Sequence, residues 1–371
     1  MLISKIIVAS MLLLYSCGRD TKQNTNTDNN RIVKHQNNII NGQLGNHLDS
    51  LLTEQIVLGF SGTVLVSIKD SIILRKGYGW TDSTNTVPVT PETKFYLAST
   101  SKGITGVAIT LAQQKELLSV NDHLSKFFPV VPPSYSDITI HQILIHTSGL
   151  NNNYETYGYI ERDENVAQIF EKDLIYSPNS DFVYSSAGYW LCAAIVDKLS
   201  NKTYEQFVYD ELFSKANMSN TAFWFEIDDS DKNTFAQKLQ RFPPSDLAPN
   251  WGFRGSGGVV SNIIDLHKYF NSIFKENLLT PESRAQLLGP HKTLGSGIGI
   301  GYGWYQSITA RGTNEIWCRG GESFGHNSAI RWFENENVLI IILTNCGVLN
   351  NEEIEANRSV SNKIEDLLFH N

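Results

Sequence analysis

The sequence predicts an α+β protein: an antiparallel sheet flanked by helices, with a helical lobe inserted between the two halves of that sheet. Three observations carry this. β-rich runs open the folded part at "GTVLVSIKDSIILRKGYGW" (62–80) and return in its last third, from "IGIGYGWYQSI" (298–308) to "NVLIIILTN" (337–345). Between them, from residue 99 to about 250, the apolar spacing is mostly helical. Finally, 371 residues with 41% hydrophobic and 18% charged side chains are enough for two lobes around a sizeable core.

Taken in order, the N-terminus "MLISKIIVASMLLLYSCGRD" has one positive side chain, Lys5, ahead of an apolar run from Ile6 to Tyr15. A bilayer takes about 20 apolar residues, so this run reads as an export signal over residues 1–16. Leu14-Tyr15-Ser16-Cys17 resembles a bacterial lipobox. Cys17 is therefore expected to carry the lipid that anchors the protein to a membrane of the cell envelope. An ordinary cleavable signal with an incidental cysteine is the plainer alternative. Residues 17–45, rich in Asn and Thr and poor in aromatics, read as a disordered tether. The folded domain is expected over 46–371, with its helical lobe at about 115–250.

That domain opens with a helical pattern (Leu48, Leu51, Leu52, Ile56), followed by two strands that turn at Lys69-Asp70-Ser71. "VAQIFEKDL" (166–174) and "GYWLCAAIVDKLSNKTYEQFVYDELF" (188–213) supply helices of the lobe, and "NEIWCRGG" (314–321) and "SAIRWF" (328–333) supply later strands before a C-terminal helix. The order implies a cleft between a sheet lobe and a helical lobe.

Composition narrows the function. A formal charge of −8 with no Lys/Arg stripe gives no attraction to nucleic acid. Without Cys17, the cysteines are Cys192, Cys318 and Cys346, an odd number with no close pair. Buried free thiols are expected, although Cys318 and Cys346 could pair if their strands were adjacent. His141 and His146 stand five apart and share no helix face, and there is no His-Glu-x-x-His, so no metal is implied. The glycines of "GSGIGIGYG" miss the dinucleotide spacing, no cofactor is indicated, and the absence of Gly-x-Ser-x-Gly argues against an α/β-hydrolase elbow.

Chemistry centres on "FYLASTSKGITGVAIT" (95–110), where Lys102 follows Ser99 by three residues in a small, apolar segment. A charged ammonium there loses solvation unless it has a task. Positions i and i+3 share a helix face, so Oγ and Nζ can meet. A serine needs a neighbouring base to become a nucleophile at neutral pH, and such a lysine can be that base. A solvated helix start is the bland reading of the same four residues.

The rest of the chain changes the balance. Together with that segment, "ILIHTSGL" (143–150), "FVYSSAGYWL" (182–191), "GGVVSNIIDL" (257–266), "GYGW" (301–304) and "RGGESFGHNSAIRWF" (319–333) resemble, in order, the serine β-lactamase-related family of class C β-lactamases, penicillin-binding DD-peptidases and esterases. The resemblance runs from about Phe60 to Cys346 and implies a β-lactamase/transpeptidase-like fold. It further implies Ser99 as acylated nucleophile, Lys102 as proton acceptor, and Tyr184 as the proton shuttle to the leaving group. The backbone N–H groups of Ser99 and Glu322 would form the oxyanion hole. Aligning on Gly325 puts Arg319-Gly320-Gly321 on the substrate strand, with Arg319 facing the cleft and Gly321 letting the substrate backbone approach. Ser186 stands where the family usually has the substrate-holding asparagine, and Arg319 where it has Lys or His. Lys292-Thr293 is read as loop, and His146 as a turn residue ordering the cleft wall.

The sequence thus reads as an exported serine hydrolase forming an acyl-enzyme on a small ester, amide or peptide. A β-lactamase or DD-peptidase is the alternative among enzymes, with Tyr184-Ser185-Ser186 counting against it. A non-catalytic envelope-binding or sensor lipoprotein is the alternative from another class.

Overall fold

The computed structural model describes residues 37–151, 161–227, 234–237, 251–321, 325–350, 352 and 354–369. Cys17, the signal segment and Glu322 lie outside them. The fold begins with β1 (Ile39–Ile40) and α1 (Gly42–Val57), so the last residues assigned to the tether are structured. Their polarity misled because they contribute hydrogen bonds more than core: Asn41 Nδ2 donates to the Ile72 carbonyl at 2.6 Å and Arg75 Nε to that of Asn37 at 2.9 Å.

β2 (Gly62–Ile68) and β3 (Ser71–Tyr78) form the expected hairpin. It turns through Lys69 and Asp70 at φ 48° and 67°, the two positive φ values that match the twist of a two-residue turn. β4 (Phe95–Tyr96) leads into α2 (Ser101–Gln114). The helical lobe follows: α3 (Pro133–Ser136), α4 (Ile140–Leu144), α5 (Arg162–Phe170), α6 (Ser186–Ser200) and α7 (Tyr204–Val208). β5 (Ala222–Phe223) and β6 (Val259–Ser261) join β4 in a small antiparallel sheet of order β4-β6-β5.

After α8 (Ile263–Phe274) and α9 (Pro281–Leu288), the chain returns to strands: β7 (Lys292–Thr293), β8 (Gly299–Ile300), β9 (Tyr305–Ile308), β10 (Asn314–Gly321), β11 (Asn327–Phe333) and β12 (Val338–Thr344), closed by α10 (Ala356–Phe369). All pair antiparallel in the order β1-β3-β2-β12-β11-β10-β9-β8-β7. Lys292-Thr293, expected as loop, is a two-residue edge strand. Its pairing with Gly299 and Ile300 supplies an order that its own sequence does not signal.

β12 is buried along its whole length because both sheet faces are covered. On one face Val64, Val66, Ile340 and Ile342 pack with Leu48 and Leu52 of α1 and Val360 and Ile364 of α10. On the other, Leu65, Ile341 and Leu343 pack with Ile104 of α2 and Ile263 of α8. Helix α2 is buried nearly all round, from Ser101 to Ala112, as a helix through the centre of a protein is. Gly106 lets it lie against the backbone of Tyr302, where a Cβ would collide with the carbonyl. The thiols of Cys192, Cys318 and Cys346 are free and buried. Cys318 belongs to the α2 face of the sheet and Cys346 to the α1/α10 face, so they do not pair.

Candidate active site

Ser99 sits in a single 3-10 turn, Ala98–Thr100, that runs straight into α2. Ala98 precedes it at φ 47°, a left-handed conformation that costs an L-residue roughly 1–2 kcal/mol. Tight packing holds the turn in that shape. Ser328 of β11 donates from Oγ to the Leu97 carbonyl at 2.6 Å and bonds Thr100 Oγ1 at 2.8 Å. Gly320 of β10 lies flat against it, since a Cβ there would stand under 3.0 Å from Leu97 O, Ser99 N and Thr100 N.

One turn into the helix, Lys102 is only 2% exposed. Its Nζ donates to Ser99 Oγ at 3.1 Å and to the Ser256 carbonyl at 2.9 Å. Nζ lies 4.8 Å from the Tyr184 ring centre and 5.7 Å from that of Tyr189, and it pairs with no carboxylate among the described residues. Buried charge is normally paired, so a lysine held by a carbonyl, a hydroxyl and two ring faces is held for chemistry. The Tyr184 hydroxyl completes the group by donating to the same Ser99 Oγ at 2.8 Å. Two side chains, one of them 85 residues away along the chain, thus converge on one serine oxygen.

The loop beneath them is clamped. Trp190 Nε1 donates to Ser256 Oγ at 2.6 Å, Thr105 Oγ1 donates to the Gly255 carbonyl at 2.6 Å, and Arg254 pairs with Glu205. The buried Tyr189 phenol, raised well above its ordinary range by burial, donates to the Leu144 carbonyl at 2.8 Å and acts as a wall rather than an acid. Ser256 was missed in the sequence because the glycine-rich segment that draws attention, "GGVVSN", starts one residue after it. Its contribution is a carbonyl, which any residue type supplies.

On the strand read as the substrate strand, Gly320 is the residue that lies against the nucleophile turn. Successive side chains alternate across a strand, so Arg319 and Gly321 leave on the other face. Arg319 is exposed, 5.1 Å from the Trp317 ring. A Cβ on Gly321 would meet the side-chain ends of Glu355 and Asn327. β9 pairs only Asn314 to Trp317, which leaves residues 318–321 unpaired with β9 beside the serine. Ser186 is the buried first residue of α6, and Ser185 caps that helix by accepting from Gly188 N at 3.2 Å.

His146, at φ 59°, is fully buried. Burial, with the Lys102 charge adding to it, pushes its imidazole down to about 3. No three His, Cys, Asp or Glu side chains form a metal-binding group among the described residues.

A serine oxygen flanked by a buried amine and a phenol on an open strand is the arrangement of an acyl-transfer site. The Beta-lactamase family model matches residues 48–363. The chain belongs to the Beta-lactamase family. It is accordingly a serine hydrolase of the β-lactamase and penicillin-binding type. Penicillin-binding protein 4* of Bacillus subtilis (strain 168) is 24% identical over 334 residues, covering 84% of this chain and 72% of that protein. Among solved structures, D-amino acid amidase from Ochrobactrum anthropi SV3, complexed with L-phenylalanine amide, has a TM-score of 0.76 at 18% identity, covering 89% of this chain and 99% of that one. The octameric penicillin-binding protein homologue from Pyrococcus abyssi has a TM-score of 0.73 at 20% identity, covering 88% and 77%. At these identities the structural likeness speaks for the Beta-lactamase-type fold alone.

Proposed function

We propose that this Beta-lactamase-family chain hydrolyses small esters or amides through an acyl-enzyme on Ser99. Ser99 Oγ attacks the carbonyl carbon as its proton passes to the lone pair of Lys102 Nζ, which enters this step as the neutral amine, and the C–O or C–N bond to the leaving group breaks as Tyr184 hands that group a proton. Water then cleaves the acyl-serine by the reverse use of the same groups. The single observation that supports this most is the convergence of Lys102 Nζ and the Tyr184 hydroxyl on Ser99 Oγ, at 3.1 and 2.8 Å. Ser99 N–H, beside Gly320, and Glu322 N–H are the proposed oxyanion donors. The N-terminal signature extends the proposal to export and lipid attachment at Cys17, which a Cys17→Ser variant released from bacterial membranes would support.

The test is a serine-reactive fluorophosphonate probe followed by a substrate panel of short esters, D-amino-acid amides and a chromogenic cephalosporin. Labelling that Ser99→Ala abolishes, with turnover of esters or amides, supports the proposal. Labelling that persists without turnover of any substrate would instead mark a sensor-like trap, and fast cephalosporin hydrolysis would favour the β-lactamase reading.

A further inference from the structure

His146 grips Tyr184 from both sides along the backbone. Its carbonyl accepts from Val183 N at 2.9 Å, and its ring Nδ1 accepts from Ser185 N at 3.1 Å. The imidazole also lies along the Tyr184 ring, with centres 4.7 Å apart and planes tilted by 33°. A second phenol, Tyr189, lies 5.3 Å from the imidazole on a similar tilt. One residue therefore holds the N–H of Val183, the N–H of Ser185 and the plane of the Tyr184 ring between them.

We propose that His146 is a positioning residue for the Tyr184 hydroxyl, acting through a neutral imidazole whose Nδ1 must remain an acceptor. A backbone N–H can only donate, so Nδ1 is unprotonated and the ring proton sits on Nε2. That nitrogen has no hydrogen-bond partner among the described residues. Its lack of a partner agrees with a ring placed for what Nδ1 holds. A protonated ring would lose the Ser185 bond and set a second cation beside Lys102. Burial and the Lys102 charge both oppose that protonation. The positive φ at this position restricts the choice further, because few side chains other than Asn, Asp and His adopt it readily.

The inference rests on the acyl-enzyme reading, and it makes a claim that plain structural support would not. Tyr184 protonates the leaving group. Nitrophenolate leaves without needing that proton, whereas an amine does not. Misplacing Tyr184 should therefore cost amide turnover far more than nitrophenyl ester turnover.

The experiment compares His146→Asn, His146→Gly and Tyr184→Phe in the full chain, measuring kcat and KM on a p-nitrophenyl ester and on an amino-acid amide the enzyme turns over. Thermal unfolding is followed for each variant. Asn can place an acceptor where Nδ1 stood and tolerates the backbone angle. Gly tolerates the angle but offers no acceptor, so the pair separates the hydrogen bond from backbone strain. His146→Gly should lose amide kcat on the order of 100-fold, the scale of a 1 Å misplacement. Its ester kcat should fall much less, and His146→Asn should recover most of the amide activity. His146→Gly should add little in a Tyr184→Phe background. Equal losses on ester and amide, or an Asn variant no better than Gly, would overturn the positioning role. Ser99→Ala in the same assays keeps the two claims apart: if it retains activity the acyl-enzyme reading fails, and if it is inactive while the His146 series shows no leaving-group dependence, only this inference fails.

Discussion

The Ser328 hydroxyl donates to the Leu97 carbonyl at 2.6 Å, a bond across 231 residues that ties the middle of the sheet to the turn presenting Ser99. Both groups are buried. Removing the hydroxyl leaves Leu97 O with only the longer bond from Thr100 N, 3.2 Å, and takes a partner from Thr100 Oγ1. Ser328→Ala should cost about 1–2 kcal/mol in stability and lower kcat more than it raises KM, because the turn orients the nucleophile. Denaturant unfolding with steady-state kinetics checks this. A stability loss with unchanged kcat would make the bond purely architectural.

Lys102 and Ser99 share one hydrogen bond and, on the proposed mechanism, one proton. Groups acting as a unit do not contribute additively. Ser99→Ala and Lys102→Ala should each reduce turnover by orders of magnitude, and the double variant should be hardly worse than either single. Kinetics on a nitrophenyl ester, with folding checked by circular dichroism, decides the matter. Near wild-type turnover in a folded Lys102→Ala protein would remove lysine from the mechanism.

The register of β10 can be tested with two neighbouring glycines. An alanine Cβ at 320 meets backbone atoms of the Ser99 turn, which cannot yield without moving the nucleophile, whereas at 321 it meets the ends of the Glu355 and Asn327 side chains. Gly320→Ala should therefore destabilise by roughly 1–3 kcal/mol, the usual overpacking cost, and abolish most turnover. Gly321→Ala should retain stability and activity within several-fold. The opposite ranking would show that Gly321, and not Gly320, is the glycine the nucleophile turn requires.

This pair also marks the limit of what the sequence disclosed. The hairpin at Lys69-Asp70, the helical middle and the Ser99 and Lys102 pair were legible because each rests on spacing or residue type, whereas Tyr184 was named only through the family resemblance. Gly320 against Gly321, the Ser256 carbonyl and the Ser328 hydroxyl were not. Their roles come from backbone position and strand register, where a one-residue shift moves a side chain to the other face. The early start of the fold at β1 was hidden for a related reason, since Asn37 and Asn41 act through hydrogen bonds that leave no apolar pattern.

His146 makes stability depend on acid. Its folded value, about 3, lies below the ordinary histidine value of 6.5 because of burial and the Lys102 charge. Below pH 6.5 the unfolded chain takes up a proton that the folded chain refuses, so stability is fully present above that pH and is lost as pH falls toward 3. The slope from one such group is roughly 1 kcal/mol per pH unit. His141, lowered by burial and by His291, and His267, lowered by burial and by Arg75, act in the same direction. Urea unfolding between pH 7 and 4 should thus show a steep acid loss, shallower by about one proton in His146→Asn. An unchanged slope in that variant would mean His146 titrates as an exposed histidine does.

Arg319 supplies the last prediction. Its guanidinium is exposed over Trp317, makes no ion pair with a described residue, and sits one residue from the glycine that touches the nucleophile turn. An exposed, permanently charged fork at the edge of the site suits attraction of a substrate carboxylate. Exposed charges act mainly on encounter and weaken with salt over a Debye length of about 10 Å at 0.1 M. Arg319→Ala should accordingly raise KM several-fold for an anionic chromogenic cephalosporin or acidic ester at low salt, leave kcat nearly unchanged, and spare a neutral p-nitrophenyl ester. The difference between substrates should shrink as salt is raised toward 1 M, where the screening length is about 3 Å. An equal effect on charged and neutral substrates, or one insensitive to salt, would show that Arg319 supports the strand through Trp317 rather than recruiting substrate.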